Sequence, residues 1–187
     1  ERRTIGDRAV QIGDMSHDEC VSVLKRTHLG HLGCAQHGQP YVTPIFFAYD
    51  DNTLSLYSVA TFGRKVSWMR ANPLVCLEID EIEDAQSWLS VIVFGTFEEL
   101  SDTPQFIAQR QHAYELLQRR PMWWEPAYVR TVIKGAERPL DVTYFRIRID
   151  TLSGRHSMPD PETTPKAIFR NRLSQWFGKL RPTKSFR

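Results

Sequence analysis

The residues best placed to do chemistry form the run Gly63-Arg64-Lys65, followed by a short helical stretch that Asn72-Pro73 closes. A helix start exposes unpaired backbone N–H groups and the positive end of the helix dipole. Arg64 offers a two-pronged guanidinium for oxyanions and Lys65 a compact point charge. Ser58 and Thr61, just upstream, add hydroxyl donors. Together these could hold a phosphate, although Gly-Arg-Lys at a helix start is also an ordinary solvated first turn. The run fits neither the phosphate-loop pattern GxxxxGK[ST] nor the dinucleotide pattern GxGxxG.

Other chemistry-bearing residues are less organised. Cys20, Cys34 and Cys76 show no CxxC spacing and read as free thiols of a reducing compartment. The six histidines form neither HxxxH nor HExxH, and His28 and His31 have no carboxylate near them in sequence, so no metal site is expected. Trp123-Trp124 could roof a planar substrate, or serve as an aromatic plug in a core or contact.

The elements that must position these residues read mainly as strands. Ser16-x-x-Glu19 has capping-box spacing ahead of a helix over 17–27, with Cys20, Val23 and Leu24 on one face. Strand-like runs follow at 29–35, 41–49 and 53–59, joined by polar turns at His37-Gly38 and Asp50-Asp51-Asn52. Pro44 suggests an edge or bulge. A helix is expected over 64–71, strands over 74–80 and 88–100, and an acidic loop over 81–85. Gly95 within the second strand marks a bend or close approach. A helix over about 104–120, an irregular aromatic stretch over 121–138 and a strand over 142–150 complete the body. Hairpins without βαβ units favour a closed or split antiparallel β-barrel with peripheral helices.

The 187 residues divide by this reading into a loose lead-in (1–14), one domain (15–158) and a Pro-rich linker with a basic amphipathic tail (159–187). Residues 166–187 hold seven Lys/Arg and no Asp/Glu, which leaves the remaining 165 residues about −5. The tail is expected to pack on the acidic body or stay unfolded. Membrane and nucleic-acid binding are not expected, because no apolar run or recognised motif supports them. The chain begins at Glu1 without an apolar leader, so a trimmed start and a cytoplasmic location are the default expectations.

The order Tyr41-Val42-Thr43-Pro44-Ile45-Phe46-Phe47, Leu56-Tyr57-Ser58, Gly63-Arg64-Lys65, Asn72-Pro73-Leu74-Val75-Cys76 and Trp88 to Gly95 resembles the pyridoxamine 5'-phosphate oxidase-like flavoproteins. Within them it is most similar to the flavin/nitroreductase branch that includes nitroimidazole-resistance proteins. The resemblance runs from about residue 15 to 155. It implies an FMN-binding split barrel, with FMN at a homodimer interface. Ile45, Phe46 and Phe47 would offer main-chain groups and apolar surface to the isoalloxazine. Tyr57 and Ser58 would lie beside the flavin, Arg64 and Lys65 on its phosphate, and Trp88 and Ser90 on a further wall. Ser90 stands where many relatives carry a glutamine. Arg155, after Ser153-Gly154, resembles an arginine that often closes the last strand.

The implied activity is reduction of a small electron-poor substrate, with NAD(P)H as reductant. Two departures temper it. The C-terminal Arg/His signature of vitamin B6 oxidation is missing, and so is the histidine common near Leu56-Tyr57-Ser58 in the resistance branch. The same barrel hosts deazaflavin and haem, for which His28, His31 or His156 would be axial ligands. A non-catalytic flavin or haem carrier is therefore the alternative.

Overall fold

The computed structural model describes residues 11–84, 86–119, 131–133, 136–138 and 142–158. Strand β1 (Gln11–Asp14) precedes helix α1 (His17–Arg26). Next come β2 (Leu29–Gln36), β3 (Gln39–Phe46), β4 (Ala48–Asp50) and β5 (Ser55–Thr61). Helix α2 (Arg64–Ala71) leads to β6 (Leu74–Asp84) and β7 (Ser87–Glu99). A 3₁₀ turn (Pro104–Phe106) opens α3 (Ile107–Gln118). The small hairpin β8 (Thr131–Ile133) and β9 (Ala136–Arg138) and the long β10 (Val142–Met158) follow.

The main sheet is antiparallel and runs β3-β2-β6-β7-β10-β5-β4, with β1 paired to the far end of β10. Its two ends, β3 and β4, are successive halves of one strand broken at Phe47. The first half pairs with β2, the second with β5. At the break, the Phe47 N–H leaves the ladder and donates to the His28 carbonyl at 2.9 Å. The sheet thus closes on itself, and few edges are left open. The expected split antiparallel β-barrel is the observed fold.

Alternation decides the inside. Leu32 of β2, Leu56 of β5, Leu77 and Ile79 of β6, Val91 and Val93 of β7, and Phe145 and Ile147 of β10 are all buried in one core. Helix α1 adds Cys20, Val23 and Leu24, as its spacing predicts, and α2 adds Val66 and Met69. The capping box is formed: the Glu19 N–H donates to Ser16 Oγ, and the Ser16 N–H to Glu19 Oε2 at 2.7 Å. The β2–β3 turn is two residues, His37 (φ 50°) and Gly38 (φ 76°), the left-handed pair that a tight hairpin needs. Gly95 marks the expected close approach, since a Cβ there would sit 2.4 Å from the Arg148 carbonyl oxygen.

Three boundaries differ from the sequence reading. Residues 11–14 form a strand, held by β10, where a loose lead-in is expected. The acidic stretch 81–84 extends β6. The last strand continues from 150 to Met158 past an irregularity between Ile149 and Thr151, which breaks the alternation that sequence reading follows. The basic tail lies outside the described residues. Among the described residues, no helix is long and apolar enough to cross a membrane.

Candidate functional site

Helix α2 begins without compensation for its positive end. Its N-cap is Gly63, which makes no side-chain capping bond, and its first turn holds no acidic residue. Arg64 is exposed, with its guanidinium 5.8 Å from the Tyr41 ring centroid. Tyr41 in turn meets Trp68 edge-on at 5.7 Å. Lys65 is only partly exposed, and burial pulls its ammonium below the usual lysine range, with the Cys34 thiol nearby opposing the shift. Among the described residues, neither cation has a carboxylate partner. Two cations, free helix N–H groups and no counter-charge fit a phosphate better than water alone.

Other residues singled out in the sequence lie on or next to β3 and β5. Ser58 Oγ donates to the Phe46 carbonyl at 2.5 Å, tying β5 to the end of β3. That hydroxyl is buried and already engaged, so it braces the wall. Ile45 and Phe47 point into the core, and Phe46, also buried, stacks on His28 at 5.4 Å. Their main chain is partly engaged already, by Ser58 at the Phe46 carbonyl and by His28 at the Phe47 N–H. Tyr57 is buried against α3, its ring meeting His112 edge-on at 5.3 Å. Thr61 is exposed at the end of β5.

Trp88 and Ser90 occupy a different place. Ser58 pairs with Phe145 and Ser90 with Arg155, ten positions further along β10. That separation corresponds to about 30 Å of strand. Ser90 Oγ donates to Glu78 Oε1 at 3.0 Å, and the Trp88 N–H to Ser157 Oγ at 3.0 Å. One chain therefore holds the two predicted walls apart. Trp123 and Trp124 lie outside the described residues.

Sequence reading missed two polar groupings. His31, which has no carboxylate nearby in sequence, lies 3.1 Å from Glu78 Oε2 and 3.9 Å from Asp80 Oδ1 across the β2–β6 ladder. On the opposite side of the barrel, buried Asp50 accepts from the Asn52 N–H, Thr53 Oγ1 and His112 Nε2. Burial alone would raise the Asp50 carboxyl, but these bonds outweigh it and hold it below the usual range. Strand register brings His31 to its carboxylates, whereas Asp50 meets Asn52 and Thr53 within its own turn and His112 through the packing of α3.

Comparison with known proteins agrees with this architecture. The family model for pyridoxamine 5'-phosphate oxidase matches residues 16–156. An uncharacterised protein, RA0666, of Rhizobium meliloti (strain 1021) is 38% identical over 144 residues, covering 75% of this chain and 92% of that protein. A crystal structure of a FAD-binding protein from Mesorhizobium loti superposes with a TM-score of 0.64 at 37% identity, covering 80% of this chain and 99% of the other. The FAD-binding protein of Mycobacterium smegmatis (TM-score 0.51, 20% identity, 76% and 98% covered) shares the fold. A candidate 5-nitroimidazole antibiotic resistance protein of Bacteroides thetaiotaomicron (0.57, 17%, 84% and 96%) shares it as well. By the matched span, and by the barrel that carries it, the chain belongs to the pyridoxamine 5'-phosphate oxidase-like family.

Proposed function

We propose that the protein is a flavin-dependent oxidoreductase that works as a homodimer and reduces a small electron-poor substrate, with NAD(P)H as reductant. The observation that carries the binding part is the uncompensated start of α2, where Arg64, partly buried Lys65 and free N–H groups await an anion. Arg64 and Lys65 would hold the flavin phosphate, while the main chain of Ile45–Phe47 would lie along the ring. A bound flavin supplies the electron transfer, and the chain's residues bind it, orient it and shield it from water.

A second copy is supported by the outward face of β3, β2, β6 and β7. Val42, Leu74 and Phe94 each expose more than half of their surface there, beside Ile92. Such an apolar patch favours a protein partner over water. A two-fold partner would also bring a second Trp88 and Ser90 toward the α2 start that one chain leaves apart. The homodimer thus makes one site of two walls.

FMN is the ligand that the phosphate anchor calls for. FAD is the second reading, favoured by the 37% identical Mesorhizobium loti relative. An absorbance spectrum of the purified protein, with chromatography of the released ligand, tests both. Flavin bands and co-elution with FMN are expected; FAD in the extract selects the second reading. A colourless protein that acquires no flavin spectrum on titration contradicts both. Anaerobic NAD(P)H should bleach the bound flavin. A flavin that stays oxidised under these conditions would make the protein a carrier.

A further inference from the structure

Three metal-ligand side chains meet on the outward face of the barrel, away from α2. Glu78 and Asp80 are two residues apart on β6 and so share that face, and His31 of β2 is the cross-strand partner of Glu78. His31 Nδ1 is 3.1 Å from Glu78 Oε2 and 3.9 Å from Asp80 Oδ1, and one ligand atom from each residue lies within 4.8 Å of the other two. Around an ion with bonds of about 2.1 Å, neighbouring ligands sit about 3.0 to 3.4 Å apart. The His31–Glu78 spacing already fits, and the Asp80 oxygen at 3.9 Å from His31 would have to move closer.

The surroundings hold this arrangement. Leu32, next to His31 on β2, and Leu77 and Ile79, which flank Glu78, are buried and anchor both backbones. The Ser90 hydroxyl fixes one Glu78 oxygen and leaves the other facing His31. The charges do not cancel. A protonated His31 balances one carboxylate, and among the described residues neither Glu78 nor Asp80 meets a lysine or arginine. A divalent ion would neutralise both carboxylates and accept the imidazole nitrogen as well. One imidazole with two carboxylates selects a borderline transition ion over Mg²⁺ or Ca²⁺, which prefer all-oxygen sets.

We propose that His31, Glu78 and Asp80 form a binding site for a divalent transition-metal ion such as Zn²⁺ or Co²⁺. The site shares its face with Ile92 and its Ser90 brace with the proposed second wall, and it is read with metal alone, so its failure and that of the flavin reading are distinguishable. The full chain, free of any tag and dialysed against chelator, is titrated with Co²⁺ by visible absorbance and with Zn²⁺ by calorimetry. One equivalent per chain is expected. His31→Ala should weaken it at least about tenfold, and Asp80→Asn by a similar factor, with the thermal transition of both variants preserved. Absence of saturable binding, or binding that His31→Ala leaves intact, would overturn the proposal.

Discussion

The two helix-bearing sides of the barrel settle their charges in opposite ways. On the α3 side several of the described charges are answered within the chain. Asp50 takes three hydrogen-bond partners, Arg146 pairs with Glu98, and Arg110 donates to the Leu100 carbonyl. On the α2 side, among the described residues, Arg64 and Lys65 have no carboxylate partner, and the helix start has no side-chain cap. A satisfied network stabilises the fold and asks for nothing more. An unsatisfied one of the same size costs stability until a ligand completes it.

This contrast can be broken by substitution. The largest effect is expected from the double change Arg64→Ala, Lys65→Ala. It should weaken FMN by about 100-fold or more, since two charge-assisted contacts are lost, with little change in the melting temperature of the flavin-free protein. Flavin fluorescence titration and calorimetry measure the two halves. On the other side the signs reverse. Asp50→Ala should cost about 2–3 kcal/mol in urea unfolding, because four donors lose their acceptor, and it should leave FMN affinity unchanged.

A smaller effect follows from pH. The folded Asp50 carboxyl lies below its unfolded value, so its stabilisation is fully present above the unfolded value and is lost as pH falls through the folded one. The wild type should therefore lose stability below about pH 4 more steeply than Asp50→Asn. The smallest effect sharpens the contrast. Burial depresses Lys65, so charging it opposes folding at neutral pH. Lys65→Met should stabilise the flavin-free protein by no more than about 1 kcal/mol, read as a higher melting temperature, while FMN affinity falls.

Much of the fold is legible in local signals. Ser16 and Glu19 announce α1, Asn72-Pro73 ends α2, and alternation along 74–80 and 88–97 separates core from surface. The barrel's closure is not legible, because it depends on one strand changing partners at Phe47, and no residue pattern encodes that exchange. The candidate site divides in the same way. Arg64 and Lys65 are recognisable by type and position. Ser58 and Ser90 carry the expected hydroxyls, yet both donate within the protein, to Phe46 and Glu78. His31 acquires its carboxylates from residues 47 and 49 positions away, through register alone.

The most direct measurement compares FMN with riboflavin, which lacks only the phosphate, on the wild type and on the Arg64→Ala, Lys65→Ala variant. If α2 holds the phosphate, the wild type binds FMN far more tightly than riboflavin, and the two affinities converge in the variant. Equal affinity of the wild type for both, or a preference for FMN that survives the double change, would contradict the assignment.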